Sequence, residues 1–215
     1  MTDQTLQQAV LDELDWEPRV EAGHIGVAAH NGVITLTGTV ESYAQKIAAE
    51  RAASHVRGVA AVANEIEVRL PHQFKETDAT IAERAVHVLA WDTSIPKDAV
   101  KVVVDHGWVT LNGAVDWAFQ RAAAESDVHK IHGVVGVRNL ITVRSRPATS
   151  AIKDKIAAAI KRNAELDATS ITVTATGGKV TLDGHVHSFF ERQLAEQAAW
   201  SAPGVTEVED RISVR

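Results

Sequence analysis

Apolar and polar residues alternate along three segments of the chain, which read VITLTGTV from Val33, WVTLNGAV from Trp108 and KVTLDGHV from Lys179. Strict alternation predicts a β-strand with one buried face, because successive side chains of a strand point to opposite sides. The surrounding apolar positions superimpose when the chain is shifted by 75 residues and then by 71. We therefore predict three tandem copies of one folding unit.

Each copy opens with a helical pattern and continues with strands. Leu6, Val10 and Leu14 lie four residues apart, as on one face of a helix, and alternation at Ile25 and Val27 predicts a strand. The glycine turns that follow predict tight hairpins: Asn31-Gly32, His106-Gly107 and Gly177-Gly178. The order up to this point is α-β-β.

A second helix is predicted after the alternating segment. Ser42 with Gln45, and Ser188 with Glu191, have the spacing of capping boxes, and the helix of the first copy is expected to end at Gly58. The last strand of that copy is predicted from alternation over residues 62–68. A helical crossover makes the second and third strands parallel. The predicted fold is α+β, with three αββαβ units, each a three-stranded mixed sheet with two helices on one face.

The predicted domains are residues 1–70, 78–145 and 149–215, joined by linkers at 70–80 and 145–151. Nine glycines recur in register and are expected to serve the fold: Gly32, Gly38, Gly58, Gly107, Gly113, Gly133, Gly178, Gly184 and Gly204. The middle glycine of each strand is expected to let a helix cross the sheet closely.

Composition excludes several classes of function. The 215 residues include no cysteine, which excludes disulfides, thiolate metal ligands and cysteine nucleophiles. The net charge of −6 and the absence of a basic stripe argue against a nucleic-acid partner. No run approaches the roughly 18 apolar residues of a membrane span. The N-terminus lacks the apolar core of a signal peptide, so we expect a cytoplasmic protein, or a periplasmic one if a leader has been removed.

The ten histidines include two close pairs, His185 with His187 on a strand and His129 with His132 on a helix. Neither pair has a third ligand at a recognised spacing, and neither recurs in the other copies, so no metal site is predicted. Nucleophile-elbow, Walker and dinucleotide-binding motifs are also absent from the sequence. We expect a protein that is not an enzyme and has no organic cofactor.

Aromatic and basic side chains are the candidate contacts with a partner or a membrane. Trp117, Phe119, Phe189 and Phe190, with Tyr43, gather at the start of the second helix, where they anchor in a membrane interface or, as the favoured alternative, staple the helix to the sheet. Trp108 lies off the buried strand face and is predicted to be exposed. Lys153 and Lys155, with Lys161 and Arg162, form either a headgroup-binding face or an ordinary solvated one. Trp16 and Trp91 are assigned to the core.

The element order and the motif G-x-V-x-L-x-G-x-V, with Gly-Val about 20 residues later, resemble the BON domain family. The motif is carried by Gly32, Leu36, Gly38 and Val40, and it recurs from Gly107 and from Gly178; the first copy has Ile34 in place of valine. The resemblance implies a non-catalytic module of bacterial envelope and stress proteins, to which phospholipid binding is attributed. Relatives include a periplasmic protein induced by osmotic stress and cytosolic potassium-binding proteins.

Three hypotheses about function follow. The first is a stress-associated module that binds anionic phospholipid or an envelope-proximal partner. The second is a cytosolic potassium sensor that uses backbone carbonyl oxygens, which leave almost no trace in a sequence. The third is a protein–protein scaffold. The oligomeric state and the orientation of the three copies are not encoded in these patterns.

Overall fold

The computed structural model describes residues 2–71, 76–144, 152–162, 170–176 and 178–214. The first repeat contains α1 (Asp3–Trp16), β1 (Ile25–His30), β2 (Val33–Val40), α2 (Tyr43–His55), β3 (Ala61–Asn64) and β4 (Glu67–Val68). The second contains α3 (Asp78–Trp91), β5 (Val100–Asp105), β6 (Trp108–Val115), α4 (Ala118–Val128) and β7 (Gly136–Val143). The third contains α5 (Ile152–Arg162), β8 (Ile171–Thr176), β9 (Lys179–Val186), α6 (Phe189–Trp200) and β10 (Glu207–Val214). The predicted α-β-β-α-β order is confirmed in every copy.

Each sheet is mixed, as predicted. In the second repeat β5 pairs antiparallel with β6, and β6 pairs parallel with β7. The third repeat has the same arrangement in β8, β9 and β10. In the first repeat the parallel partner of β2 is divided into β3 and β4. The predicted single strand over residues 62–68 is thus interrupted in this copy, where Ile66 between the two pieces is buried.

The core of each repeat lies between one face of its sheet and the apolar faces of its two helices. In the second repeat Ile81, Ala85 and Leu89 of α3 and Ala124 and Val128 of α4 pack with residues from alternate positions of β6. In the third, α5 contributes Ile152, Ile156 and Ile160 to the equivalent cluster. The spacing of these helix residues is what the sequence pattern requires of a buried helical face.

The chain divides into two compact units that do not coincide with the repeats. One consists of Met1–Gly38, Ala48–Ile66 and Ser145–Arg215, and the other of Thr39–Ile47 and Glu67–Arg144. The first and third repeats therefore share a unit, while the turn between β2 and α2 belongs to the unit of the second repeat. The predicted linker at 145–151, residues 72–75 of the other linker, and Gly177 of the third hairpin lie outside the described residues.

The first two hairpin turns form as predicted, but the middle strand glycines have a different role from the expected one. Asn31 and Gly32 both have positive φ, as a tight hairpin requires. Gly113 also has positive φ, and a Cβ there would overlap the carbonyl oxygen of Ala99, the residue before β5. Close approach of the neighbouring strand's backbone, and not of a helix, therefore requires glycine; Gly38 and Gly184 meet His24 and Ser170 in the same way.

The second helix is capped as predicted at its start but ends earlier than predicted. The backbone N–H of Gln45 donates to Ser42 Oγ at 3.2 Å, and that of Glu191 donates to Ser188 Oγ at 3.1 Å. α2 ends at His55, so Gly58 is not the residue directly after the helix cap but part of a turn that follows it. Its φ of 92° explains why glycine recurs there.

Candidate binding site

The second repeat carries most of the exposed apolar surface. Among the described residues, eight large hydrophobic side chains are exposed, and six of them belong to this repeat: Val86, Trp91, Val103, Trp108, Phe119 and Leu140. Scattered exposed apolar residues are ordinary, but a concentration in one of three copies of the same fold indicates a contact surface. The candidate binding surface therefore lies within residues 76–144.

The assignment of Trp16 and Trp91 to the core is wrong. Trp91 is 88% exposed and Trp16 is 83% exposed. The reason is helical geometry. Trp91 lies two positions after buried Leu89, and each residue turns an α-helix by about 100° about its axis. The side chain of Trp91 therefore points to the opposite side of α3 from that of Leu89. The same spacing separates Trp16 from Leu14. The exposure of both tryptophans can be predicted from the sequence when the spacing of the buried positions is continued to the last turn of each helix.

Trp91 borders an open groove of about 580 Å³ between α3 and the turn after α4. Its lining is Glu76, Arg84, His87, Val88, Trp91, Lys130, Ile131 and His132. Arg84, Val88 and Trp91 recur at helical spacing along one side of α3. Arg84 forms an ion pair with Glu76 at 2.8 Å, and Lys130 lies 3.8 Å from Asp127. The groove combines an apolar floor and an exposed indole with two cations and two imidazoles.

Two groups beside the groove have perturbed pKa values. Burial raises the pKa of the Asp127 carboxyl group, and the neighbouring carboxyl group of Asp92 raises it further. Burial also lowers the pKa of His129, with a smaller contribution from the charge of Lys130. Loss of water, more than any ion pair, governs both groups. The end of α4 is therefore a desolvated place, although Lys130 and His132 beside it are exposed.

Trp108 lies on the opposite side of the second repeat, on the sheet face that carries no helix. Its side chain is 50% exposed, as its strand register predicts, and its ring covers Gly136 on the adjacent strand. Val103 and Leu140 project from the same face and are 57% and 52% exposed. The role of Trp108 as a contact residue remains a prediction.

Two of the aromatic side chains at the start of the second helices contact another repeat. The rings of Phe190 and His55 are stacked, with centroids 3.7 Å apart. Tyr43 packs against the core of the second repeat and meets His129 edge-on, with centroids 6.5 Å apart. These two contacts correspond neither to a membrane anchor nor to a staple within one repeat. Phe189 and Trp117 are half-buried, whereas Phe119 is 57% exposed.

The histidine pairs and the basic helix face lie apart from one another. α4 ends at Val128, so the prediction that His129 and His132 share a helix is wrong. His185 is exposed at the end of β9, and exposed His187 follows the strand. Over the part of the chain that the structure describes, no three His, Cys, Asp or Glu residues are grouped to hold a metal ion. Lys153 and Lys155 are exposed on α5, and their contact role remains a prediction.

Within the described ranges, no helix has both the length and the apolar character that crossing a bilayer demands.

Comparison with known proteins identifies the repeat. A sequence model described as BON domain matches residues 2–69, 77–145 and 148–215. Osmotically-inducible protein Y of Escherichia coli (strain K12) is 33% identical over 144 residues, which cover 65% of this chain and 71% of that protein. Two solved structures of CdsD, a structural protein of the type III secretion system of Chlamydia trachomatis, are 12% identical with a TM-score of 0.27. The alignments cover 98% and 100% of this chain and 92% and 100% of those chains, but such scores carry no argument about the fold.

Proposed function

The chain belongs to the BON domain family, and from this premise we propose that it is a non-catalytic binding protein of the osmotic stress response whose second repeat binds anionic phospholipid. The stress role is supported by its relative, a protein named for osmotic induction. Binding to anionic phospholipid is supported by the second repeat, where exposed apolar side chains and cationic side chains occur together.

The observation that carries the proposal is the exposure of Trp91 beside a groove lined by Arg84 and Lys130. An indole at the last turn of a helix, almost wholly in water, costs free energy unless a partner covers it. Tryptophan is the side chain that favours the headgroup region of a bilayer, because its ring is apolar and its N–H is polar. Trp91 has this position next to the groove.

The charges around Trp91 favour an anionic surface. Arg84 and Lys130 line the groove beside it, and each basic residue near an anionic membrane contributes about 1 kcal/mol. Trp16 provides the contrast at the equivalent position of the first repeat. Its helix α1 carries four acidic residues and no basic one, so an anionic surface repels it. The two tryptophans have similar exposure but differ in the basic residues near them, which makes their comparison informative.

The test is co-sedimentation with large vesicles of phosphatidylcholine alone or mixed with phosphatidylglycerol, at low ionic strength. We expect the protein to sediment with the anionic vesicles only. Trp91→Ala is expected to lower the binding constant about tenfold or more, since burial of a large apolar side chain contributes about 1.5–3 kcal/mol. Trp16→Ala is the matched control and leaves binding unchanged. Absence of sedimentation by the wild type, or equal losses in both variants, would overturn the proposal.

A second candidate function, protein binding, is favoured by the exposed sheet face of the second repeat. Trp108, Val103 and Leu140 form an apolar surface there, and Lys179 replaces Trp108 in the third repeat. A photo-reactive residue at position 108 is expected to trap a protein partner in cells, and the aligned position 33 in the first repeat is the control. Equal adducts from both positions would contradict a specific site.

A further inference from the structure

The contacts between repeats described above involve two structural elements. The first is the corner between the second strand and the second helix, residues 41–44, 116–119 and 187–190. The second is the helix-end turn, which runs from the end of the second helix to the Gly-Val pair, residues 54–59, 129–134 and 200–205. Both recur in register in all three repeats.

The corner of the third repeat contacts the helix-end turn of the first. Gly58 donates its backbone N–H to the carbonyl oxygen of His187 at 2.9 Å, and Phe189 donates to that of Val59 at 3.0 Å. Phe190 stacks on His55 beside these two bonds. Backbone hydrogen bonds fix the register, and the aromatic stack covers the contact.

The corner of the first repeat contacts the helix-end turn of the second. Tyr43, the equivalent of Phe189, packs against the core of the second repeat and meets His129 edge-on. Each contact therefore joins two different surfaces, a corner and a helix-end turn. An interface between unlike surfaces leaves one of each kind uncovered at the ends of a row of subunits.

Over the described residues, the corner with an exposed phenylalanine is that of the second repeat. Phe119, at the position of stacked Phe190, is 57% exposed. The helix-end turn that corresponds to His55 is that of the third repeat, where Ser201 and Pro203 are exposed. In the part of the chain that the structure describes, one exposed phenylalanine and one helix-end turn with exposed residues are thus left to pair with each other.

We propose that a second copy of this chain docks here, with the corner around Phe119 of one copy on the helix-end turn 200–205 of the other. Phe119 is expected to cover the end of α6 near Ser201, as Phe190 covers His55. The association repeats, within a dimer or short row of copies, a pairing of corner and helix-end turn that the chain already forms twice with different aromatic pairs. It uses neither Trp91 nor Trp108.

The absence of cysteine allows a direct test. Phe119→Cys and Ser201→Cys proteins are mixed and treated with a short bismaleimide, with the double variant His55→Cys/Phe190→Cys as the positive control for the reaction. We expect the mixture to give at least about fivefold more cross-linked dimer than either single variant alone. No excess of the mixed dimer would overturn the proposal. So would a cross-link within one chain of the double variant Phe119→Cys/Ser201→Cys that persists on dilution, because the occupant would then be the chain itself.

Sedimentation velocity over a hundredfold range of concentration gives an independent readout. The wild type is expected to shift to larger species as the concentration rises, and Phe119→Lys is expected to remain monomeric. Val86→Lys is the matched control, because Val86 is 56% exposed and the change in charge is the same. A monomeric wild type at every concentration, or equal effects of both variants, would contradict the proposal.

Discussion

The carboxylate of Asp78 accepts a hydrogen bond from the backbone N–H of Gly107, with the oxygen and nitrogen 2.9 Å apart. The same carboxylate accepts from the backbone N–H of His106 at 2.8 Å. Asp78 lies in the first turn of α3, whereas His106 and Gly107 form the hairpin turn between β5 and β6. One side chain therefore fixes the start of a helix to a turn of the sheet. These backbone hydrogen bonds hold the pKa of Asp78 below its ordinary value.

Replacement of Asp78 by Ala is expected to lower the urea midpoint of unfolding at pH 7. The folded-state pKa of Asp78 is depressed, so its contribution is present above the ordinary carboxyl pKa and is lost as the pH falls through the folded value. The difference between wild type and variant should therefore shrink below about pH 4. Glu83→Ala, at an exposed position of the same helix, is the control. A difference that stays constant down to acidic pH would show that the carboxylate charge is not responsible.

Replacement of Gly113 by Ala is expected to destabilise the second repeat by about 2–4 kcal/mol. Its φ is 147°, and an added Cβ would overlap the carbonyl oxygen of Ala99 in the adjacent backbone, which cannot give way as a side chain can. Gly23→Ala is the matched control, since a Cβ there meets nothing within 4 Å. Urea unfolding followed by circular dichroism measures both. Equal stabilities of the two variants would refute the explanation from backbone approach.

The glycines and tryptophans show how far local sequence determines this molecule. The requirement for glycine at position 113 was evident from its recurrence, but its cause was not, because the carbonyl group that approaches it belongs to the adjacent strand. The exposure of Trp91 follows from helical period and could have been predicted. The stacking of Phe190 on His55 could not, since the two residues lie in different repeats and neither carries a local signal for the other.

The contact between the third and first repeats is expected to depend on Phe190. Phe190→Ala should lower the free energy of unfolding by about 1–2 kcal/mol, because it removes a stacked pair and some of the apolar area around it. Phe119→Ala, at the aligned and exposed position of the second repeat, is the control when measured in dilute solution. Calorimetry and urea unfolding both report the loss. If the two alanine variants are equally stable, the stack does not contribute to folding.

Acidification is expected to weaken the contact between the first and second repeats at His129. Burial lowers the pKa of His129 below its ordinary value, so the unfolded chain takes up this proton at a higher pH than the folded protein. Stability should consequently fall as the pH drops below about 6.5, through the interval between the two pKa values, and level off below it. The neutral ring meets the edge of Tyr43, and a charged ring would have to be held in the same desolvated place.

His129→Phe isolates this contribution, because it keeps a ring beside Tyr43 and removes the titration. The urea midpoints of wild type and variant are compared at pH 8 and pH 5. We expect the wild type to lose more stability than His129→Phe between these two pH values, since every other histidine contributes equally to both proteins. An identical pH dependence in wild type and His129→Phe would mean that protonation of this ring does not oppose the contact.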